Sequence, residues 1–522
     1  MSQNLDQLLL SMQKPQSITA QVGEERIEVS KPAQRAGTLY EKVRTSIDYQ
    51  EEHLLRRNAI LRMLKRFIGS DISQEKMAEN LLRELVWAKY LPNKEVPVGL
   101  AQELVPIFEK YDPLFQASES SVVKEKAFHF VLDIMSTELE YAITPPYREE
   151  ALVSYMYAEM QKRIHWDDAL VLSAEDKDLL LYIAIHRTLL RSNPATLRFR
   201  VFTLYYPDWP GASSAKRIGE MAKNLDTIIQ AVDSKIDHTV TQKLSVLLRR
   251  RSGVFRVIRD VIEDGDEDAF KIIHDPEALD RAVGKALKIR TKAFRKKLRR
   301  TVLRAVAFLF ITKMLLALIL ELPYDLLVLD EVHFYPLATN ILFPPFLLAF
   351  IGLTVGIPEK RNTEDYRGAI RALVVGADHD LLNVRMKRDA FSAWAAIYHF
   401  FYTISFLVVF GFIASVLFKA NFNWLSVTLF LFFLSLVTFF GIRIRMSTRE
   451  VVLSNQRRGV IGTLFDVITL PIVRAGRWLS EKVAKINVFI YFFDFIVEAP
   501  LKVAIRFSER WMDYISEKRE EI

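Results

Sequence analysis

Apolar residues along this chain follow two regimes that meet near residue 301. Before that point they return every three or four positions between charged residues, the pattern of helices with one face on a core and the other in water. After it come four runs that are apolar all round. In the first regime, residues 40–68 set Ile47, Leu54, Ile60, Leu61, Leu64 and Phe67 against charge. Further helices are predicted over 73–92, 98–111, 118–142, 147–164, 173–190 and 195–205, punctuated by Pro113, Pro145, Pro146, Pro194 and Pro207. Strand-like alternation is scarce. The expected product is a helical bundle over 39–207, large enough for one core. Residues 1–38 are polar and aperiodic and read as a flexible tail. The segment 206–214 (YPDWPGASS) reads as a boundary. Residues 208–300 read as a helical hairpin or stalk whose last helix, 276–300, continues into the first apolar run.

A bilayer core of about 30 Å takes roughly 20 helical residues. The runs 302–322, 337–357, 394–418 and 424–442 meet that length, within a membrane region of 301–445. Their connections carry an orientation signal. Ten Lys or Arg residues and no acid occupy the stretch from Lys285 to Arg304. The next connection, 323–336, has acids and no Lys or Arg; 358–393 is again basic; the third has Lys419 alone; Arg443, Arg445, Arg449, Arg457 and Arg458 follow the last run. By the positive-inside rule both termini and the large domain are expected in the cytoplasm. Beyond 446, residues 462–479 and 486–497 are amphipathic and suit helices lying in the membrane interface, anchored by Trp478 and Trp511, with packing on the cytoplasmic domain as the alternative. The fold class expected is therefore all-α: a helical cytoplasmic domain, a polytopic four-span membrane domain, and amphipathic C-terminal helices over 446–522.

Several residues stand out against this background. Lys313 lies inside the first apolar run, where a charge must pair, snorkel or face a cavity. Asn340 and His399 are candidate polar neighbours. Pro344 and Pro345 remove two backbone donors mid-run and predict a kink or break. Gly352 and Gly356 have the spacing that lets helices approach closely. Lys292, Arg295, Lys296, Lys297, Arg299 and Arg300 form the juxtamembrane basic cluster. Each such cation adds about 1 kcal/mol of attraction to an anionic surface.

Composition narrows the chemistry. The formal net charge of +8 is concentrated beside the apolar runs, which favours anionic lipid headgroups over nucleic acid as partner. There is no cysteine, which excludes disulfides, thiolate nucleophiles and cysteine metal sites. Met1 to Pro15 lacks the basic-then-apolar order of a signal peptide, so no cleavable one is expected. Phosphate-loop, dinucleotide, nucleophile-elbow and zincin motifs do not occur. The clusters His165-Trp166-Asp167-Asp168, Asp378-His379-Asp380 and Asp330-Glu331-Val332-His333 each offer a partial ligand set and complete none, so no cofactor or metal is expected. Glu138, Glu140, Glu149 and Glu150 read as a solvated acidic face, and Arg56, Arg57, Arg62, Lys65 and Arg66 as a basic helix that is solvated or meets the membrane or an acidic partner, without the aromatic platform nucleic acids need.

The sequence reading is a membrane-anchored scaffold or adaptor that presents a helical domain to a protein partner, in a bacterial plasma membrane. A channel or transporter through the four runs, with the chain as a homo-oligomer, is the alternative. A membrane-bound enzyme ranks last.

Overall fold

The computed structural model describes residues 3–12, 24–30, 34, 52–70, 72–167, 170–211, 214–329, 331, 333–356, 359–375, 382–384, 393–448, 451–453 and 460–483. Nearly all of these are helical, with one two-stranded ladder among them. They fall into two compact units. The first holds the described residues up to Phe255 together with 382–384, and the second holds the remainder from Arg256 onward.

The first unit comprises α1 (Gln3–Met12), α2 (Glu52–Phe67), α3 (Gln74–Trp87), α4 (Leu100–Glu119), α5 (Lys124–Ile143), α6 (Tyr147–Gln161), α7 (Ala174–Ile185), α8 (Pro194–Tyr205), α9 (Ala215–Lys223), α10 (Leu225–Ile236) and the first part of α11 (Thr239–Gly265). Starts are written in the sequence. Ser73, Ser173, Asn193 and Ser214 each accept the backbone N–H three residues on, satisfying one of the donors a helix start leaves open. Helix α5 is central: Phe130, Val131, Leu132, Ile134 and Leu139 are wholly buried, and α2, α4 and α8 pack around it. A short parallel ladder joins β1 (Ile164–Trp166) to β2 (Leu382–Val384), in register Ile164↔Leu382 and Trp166↔Val384.

Four expectations are corrected in this unit. Residues 3–12 are not part of a flexible tail: Leu5, Leu8, Leu9 and Met12 bury one helical face of α1, which packs on α6. Residues 24–30 are also tied down, with Ile27 N–H donating to the Val96 carbonyl at 2.9 Å and Val98 N–H to that of Glu25 at 2.9 Å. Pro113 does not end a helix; it and Pro106 lie inside α4. The boundary expected at 206–214 lies inside the first unit, because Trp209 is fully buried there, and the chain changes unit within α11 instead.

The second unit continues α11 and adds α12 (Ala269–His274), α13 (Pro276–Leu316), a π-turn (Ala317–Glu321), α14 (Leu322–Val328), α15 (Phe334–Leu353), α16 (Glu359–Val375), α17 (Ala393–Lys419), α18 (Trp424–Ser447) and α19 (Val460–Val483). Four stretches are long and apolar enough to cross a membrane: Pro276–Val328 taken as one, Phe334–Leu353, His399–Lys419 and Trp424–Ser447. The polar part is an antiparallel hairpin of α11 and α13, held by Lys285 on Asp264 at 2.8 Å and by Arg290 on Asp260. Helix α16 docks on α13, where Arg371 grips the Asp280 carboxylate with two nitrogens and Arg367 Nε donates to the Asp280 carbonyl at 3.1 Å.

Two expectations about the apolar runs change. The connection expected over 323–336 is helical as far as Val328, since Asp325 is buried and hydrogen-bonded rather than solvated. The expected break at Pro344-Pro345 does not form. Helix α15 runs unbroken through both prolines, which are buried; only two ladder donors are missing, and packing on neighbouring helices retains the rest. The amphipathic stretch 486–497, Trp511 and the Asp378-His379-Asp380 cluster lie outside the described residues, as do Asp168 and Asp330.

Candidate functional site

The most concentrated polar arrangement in the second unit lies among the apolar helices. Lys313 of α13 is wholly buried, and its Nζ donates to Asn340 Oδ1 of α15 at 2.7 Å. Asn340 Nδ2 donates in turn to Glu321 Oε1 at 2.8 Å and to the Ser426 carbonyl of α18 at 3.2 Å. The Ser426 hydroxyl reaches Glu321 Oε2 at 3.4 Å, and Lys313 Nζ stands 3.7 Å from Glu321 Oε1. The ammonium also sits 4.4 Å from the Phe433 ring centroid, on the negative face of that ring. A second layer adjoins through Ser426, whose N–H donates to Asn423 Oδ1 at 2.7 Å, while Asn423 Nδ2 donates to Asp325 Oδ1 at 2.6 Å.

Helix geometry explains how Lys313 and Glu321 meet. Eight residues at about 100° each would leave their side chains about 80° apart on a regular α-helix. The π-turn at Ala317–Glu321 inserts one extra residue into a turn and takes back about one residue of that rotation. Leu309, Lys313, Ala317, Glu321 and Asp325 are accordingly all buried along one stripe. Buried charges need opposite charge and full hydrogen bonding, and this cluster has both.

Of the residues singled out in the sequence, the structure brings Lys313 and Asn340 together. It leaves His399 exposed on α17, outside this network. Glu321 and Asp325 were missed. The signal was present: an acid eight residues after a lysine within one apolar run, and a second acid one turn further. Gly352 sits against Val302, whose Cγ1 would lie 2.7 Å from a Cβ added there. Gly356 lies past the end of α15, with nothing among the described residues within 4 Å of a Cβ added there. Gly441 plays the packing part instead, against Ile351 Cδ1 at 2.6 Å from an added Cβ. Lys292, Arg295, Lys296, Lys297, Arg299 and Arg300 are all exposed on α13, with Arg295 also paired to Glu359 at 2.7 Å.

Comparisons with family models, with curated proteins and with solved structures found no match. The arrangement of side chains therefore carries the functional argument alone.

Polar clusters in the first unit tie helices to one another. Glu138 is buried on α5, where it accepts Tyr111 Oη at 2.7 Å and Trp209 Nε1 at 3.0 Å and pairs with the Lys110 ammonium. Lys110 Nζ also donates to the Trp209 carbonyl at 2.8 Å. Burial, and then the Glu138 charge, push the Tyr111 hydroxyl well above its ordinary pKa. Glu140 pairs with Arg56 at 3.2 Å and Glu150 with Arg200. Burial raises the pKa of both carboxyls, against the pull of those arginines. Glu138, Glu140 and Glu150 thus do not form the solvated face expected of them. Nor is the basic group on α2 simply solvated: Arg57 is buried beside Asp133, and Arg66 pairs with Glu84 at 2.6 Å. His186 is wholly buried in the π-turn after α7, its ring tilted against that of Tyr182 with centroids 4.4 Å apart, and burial lowers its pKa to about 3.

Among the described residues no three His, Asp or Glu side chains gather as a metal would require. His165 is exposed on β1, and Asp167 donates its N–H to the Val384 carbonyl at 3.2 Å.

Proposed function

We propose that this protein is a membrane-anchored scaffold, with four membrane spans, both termini in the cytoplasm of a bacterial plasma membrane, and a helical domain offered to a protein partner. The observation that carries the reading is the closed network of Lys313, Asn340, Glu321 and Ser426. Its charges are opposite, its hydrogen bonds run from one member to the next, and its members are 0–3% exposed. A network satisfied in this way locks three helices against one another and suits an anchor. The exposed cations from Lys292 to Arg300 support contact with anionic headgroups at the cytoplasmic face.

The same pair favours one second reading. Ionisable side chains inside a membrane mark ion and proton routes often enough that a conducting homo-oligomer is the competing function. One paired experiment separates the two. Cross-linked purification from the native membrane is expected to yield a stoichiometric protein partner held by the first unit. Purified protein in liposomes is expected to pass no ions or protons. A flux abolished by Lys313→Met, with no stoichiometric partner recovered, overturns the scaffold in favour of conduction.

A further inference from the structure

The π-turn at Ala317–Glu321 decides which residues beyond it face the neighbouring helices. Its backbone mark is the Leu322 N–H, which donates to the Ala317 carbonyl five residues back instead of four. Ala317 and Glu321 are buried, while Leu318, Ile319 and Leu320 between them are 56%, 58% and 41% exposed. The extra residue is thus carried on the outer side of the helix. In a plain α-helix the buried stripe that starts at Lys313 would pass instead through the positions seven and eleven residues on, each within about 20° of it. Those positions are Leu320 and Tyr324. One sequence therefore offers two registers. The π-turned register of this structure buries Glu321 and Asp325. The α-helical register would bury Leu320 and Tyr324 and swing both carboxylates away by about 100°.

The backbone does not choose between them. Pro323, two residues past the turn, has no N–H, so the hydrogen-bond ladder is interrupted there in either register. Apolar surroundings favour a leucine and a tyrosine over two carboxylates, and π-turns are rare in their own right. Polar contacts hold the π-turned register. Lys313, Asn340 and Ser426 grip Glu321. Asp325 Oδ1 accepts Asn423 Nδ2 at 2.6 Å, and its Oδ2 accepts the His333 N–H at 3.4 Å. Asn423 caps the start of α18, and His333 immediately precedes α15, so one carboxylate fastens the beginnings of two helices. We propose that this helix is a two-register switch set by the Lys313–Glu321 pair. With the pair intact the π-turn is kept and Asp325 ties α15 to α18. With the pair removed the turn relaxes to α-helix and frees both helix starts together. The switch is a matter of packing within the second unit and is independent of the scaffold role.

With no native cysteine, the register can be read by disulfide formation in the full chain. Two pairs are compared in nanodiscs under a mild oxidant: Asp325→Cys with Asn423→Cys, and Tyr324→Cys with Asn423→Cys. Disulfide closure needs both side chains to point at one another. In the otherwise natural chain the 325–423 pair should close about tenfold faster, the weight of one charge-assisted contact. Adding Lys313→Met and Glu321→Leu together removes both charges and should reverse the order. An unchanged preference for the 325–423 pair overturns the switch. A second measurement does not depend on those variants folding. Deleting Ile319 makes a plain α-turn in which Glu321 and Asp325 fall on the Lys313 stripe without a bulge. It should keep the 325–423 preference and leave the thermal midpoint near that of the natural protein. Deleting the exposed Phe310 of the same helix offers no such compensation and should lower the midpoint clearly further. Equal damage from the two deletions also overturns the proposal.

Discussion

At the residue scale, the chain places charge where water is absent, and each instance has a testable cost. Lys313→Met leaves the Glu321 carboxylate buried without its cation, which should destabilise the protein by about 3–5 kcal/mol. Lys313→Met with Glu321→Leu removes both charges and should recover most of that loss; thermal unfolding of the four members of this cycle in detergent checks it. His186 gives a pH signature. Its folded pKa, about 3, lies below the ordinary histidine value of 6.5, so between those values the unfolded chain binds a proton that the native one does not. Stability from this group is complete above 6.5 and drains away on acidification, by about 1.4 kcal/mol per pH unit. Between pH 7 and 4.5 the urea midpoint of the natural protein should fall further than that of His186→Leu. The raised carboxyls of Glu140 and Glu150 act in the opposite sense but are common to both proteins. Of the candidate site, Lys313 and Asn340 were legible because polarity in an apolar run is conspicuous. Glu321 was equally conspicuous as an acid in that run, but its partnership with Lys313 was hidden because it depends on a π-turn, and no residue between Ala317 and Glu321 announces an extra residue in a turn. The acids of α5 were misjudged for a related reason: Glu138 and Glu140 are buried by helices distant in sequence, which local charge cannot reveal.

At the element scale, most helices were readable because their start signals are local. Ser73, Ser173, Asn193 and Ser214 cap where the periodicity begins. Proline was the weaker guide, for Pro106, Pro113, Pro344 and Pro345 all lie within helices whose packing outweighs the missing donors. Glycine acts by contact rather than by spacing. Of the pair Gly352 and Gly356, only the first touches another helix, and its contact with Val302 fixes how closely α15 approaches α13. Gly352→Val should overpack that crossing and cost about 1–3 kcal/mol. Adding Val302→Ala should restore much of the loss, whereas the same alanine alone should be mildly destabilising. Heat-induced loss of monodisperse protein in detergent would report all three variants.

At the scale of the whole molecule, the four apolar helices and the predominance of helix were plain from composition and period. The division into units was not, because the Pro-Asp-Trp-Pro turn that looked like a linker carries Trp209 into a core. Orientation is open to a direct measurement, since the chain has no cysteine and any introduced thiol is its only one. In intact cells, Asn421→Cys and Glu331→Cys should react with an impermeant maleimide, and Lys297→Cys should react only after lysis; the reverse pattern would invert the proposed topology. The ladder of Ile164–Trp166 with Leu382–Val384 bears on how the protein can be dissected. Strand β2 arrives some 200 positions later in the chain than β1, from between the second and third apolar helices. A fragment ending at Phe255 would contain α1–α10 and the first part of α11 yet lack that strand. Its Ile164–Trp166 edge would then be open to pair with another copy, so the excised domain should self-associate in a way the intact chain does not. Supplying residues 382–384 on a tether is the simplest remedy.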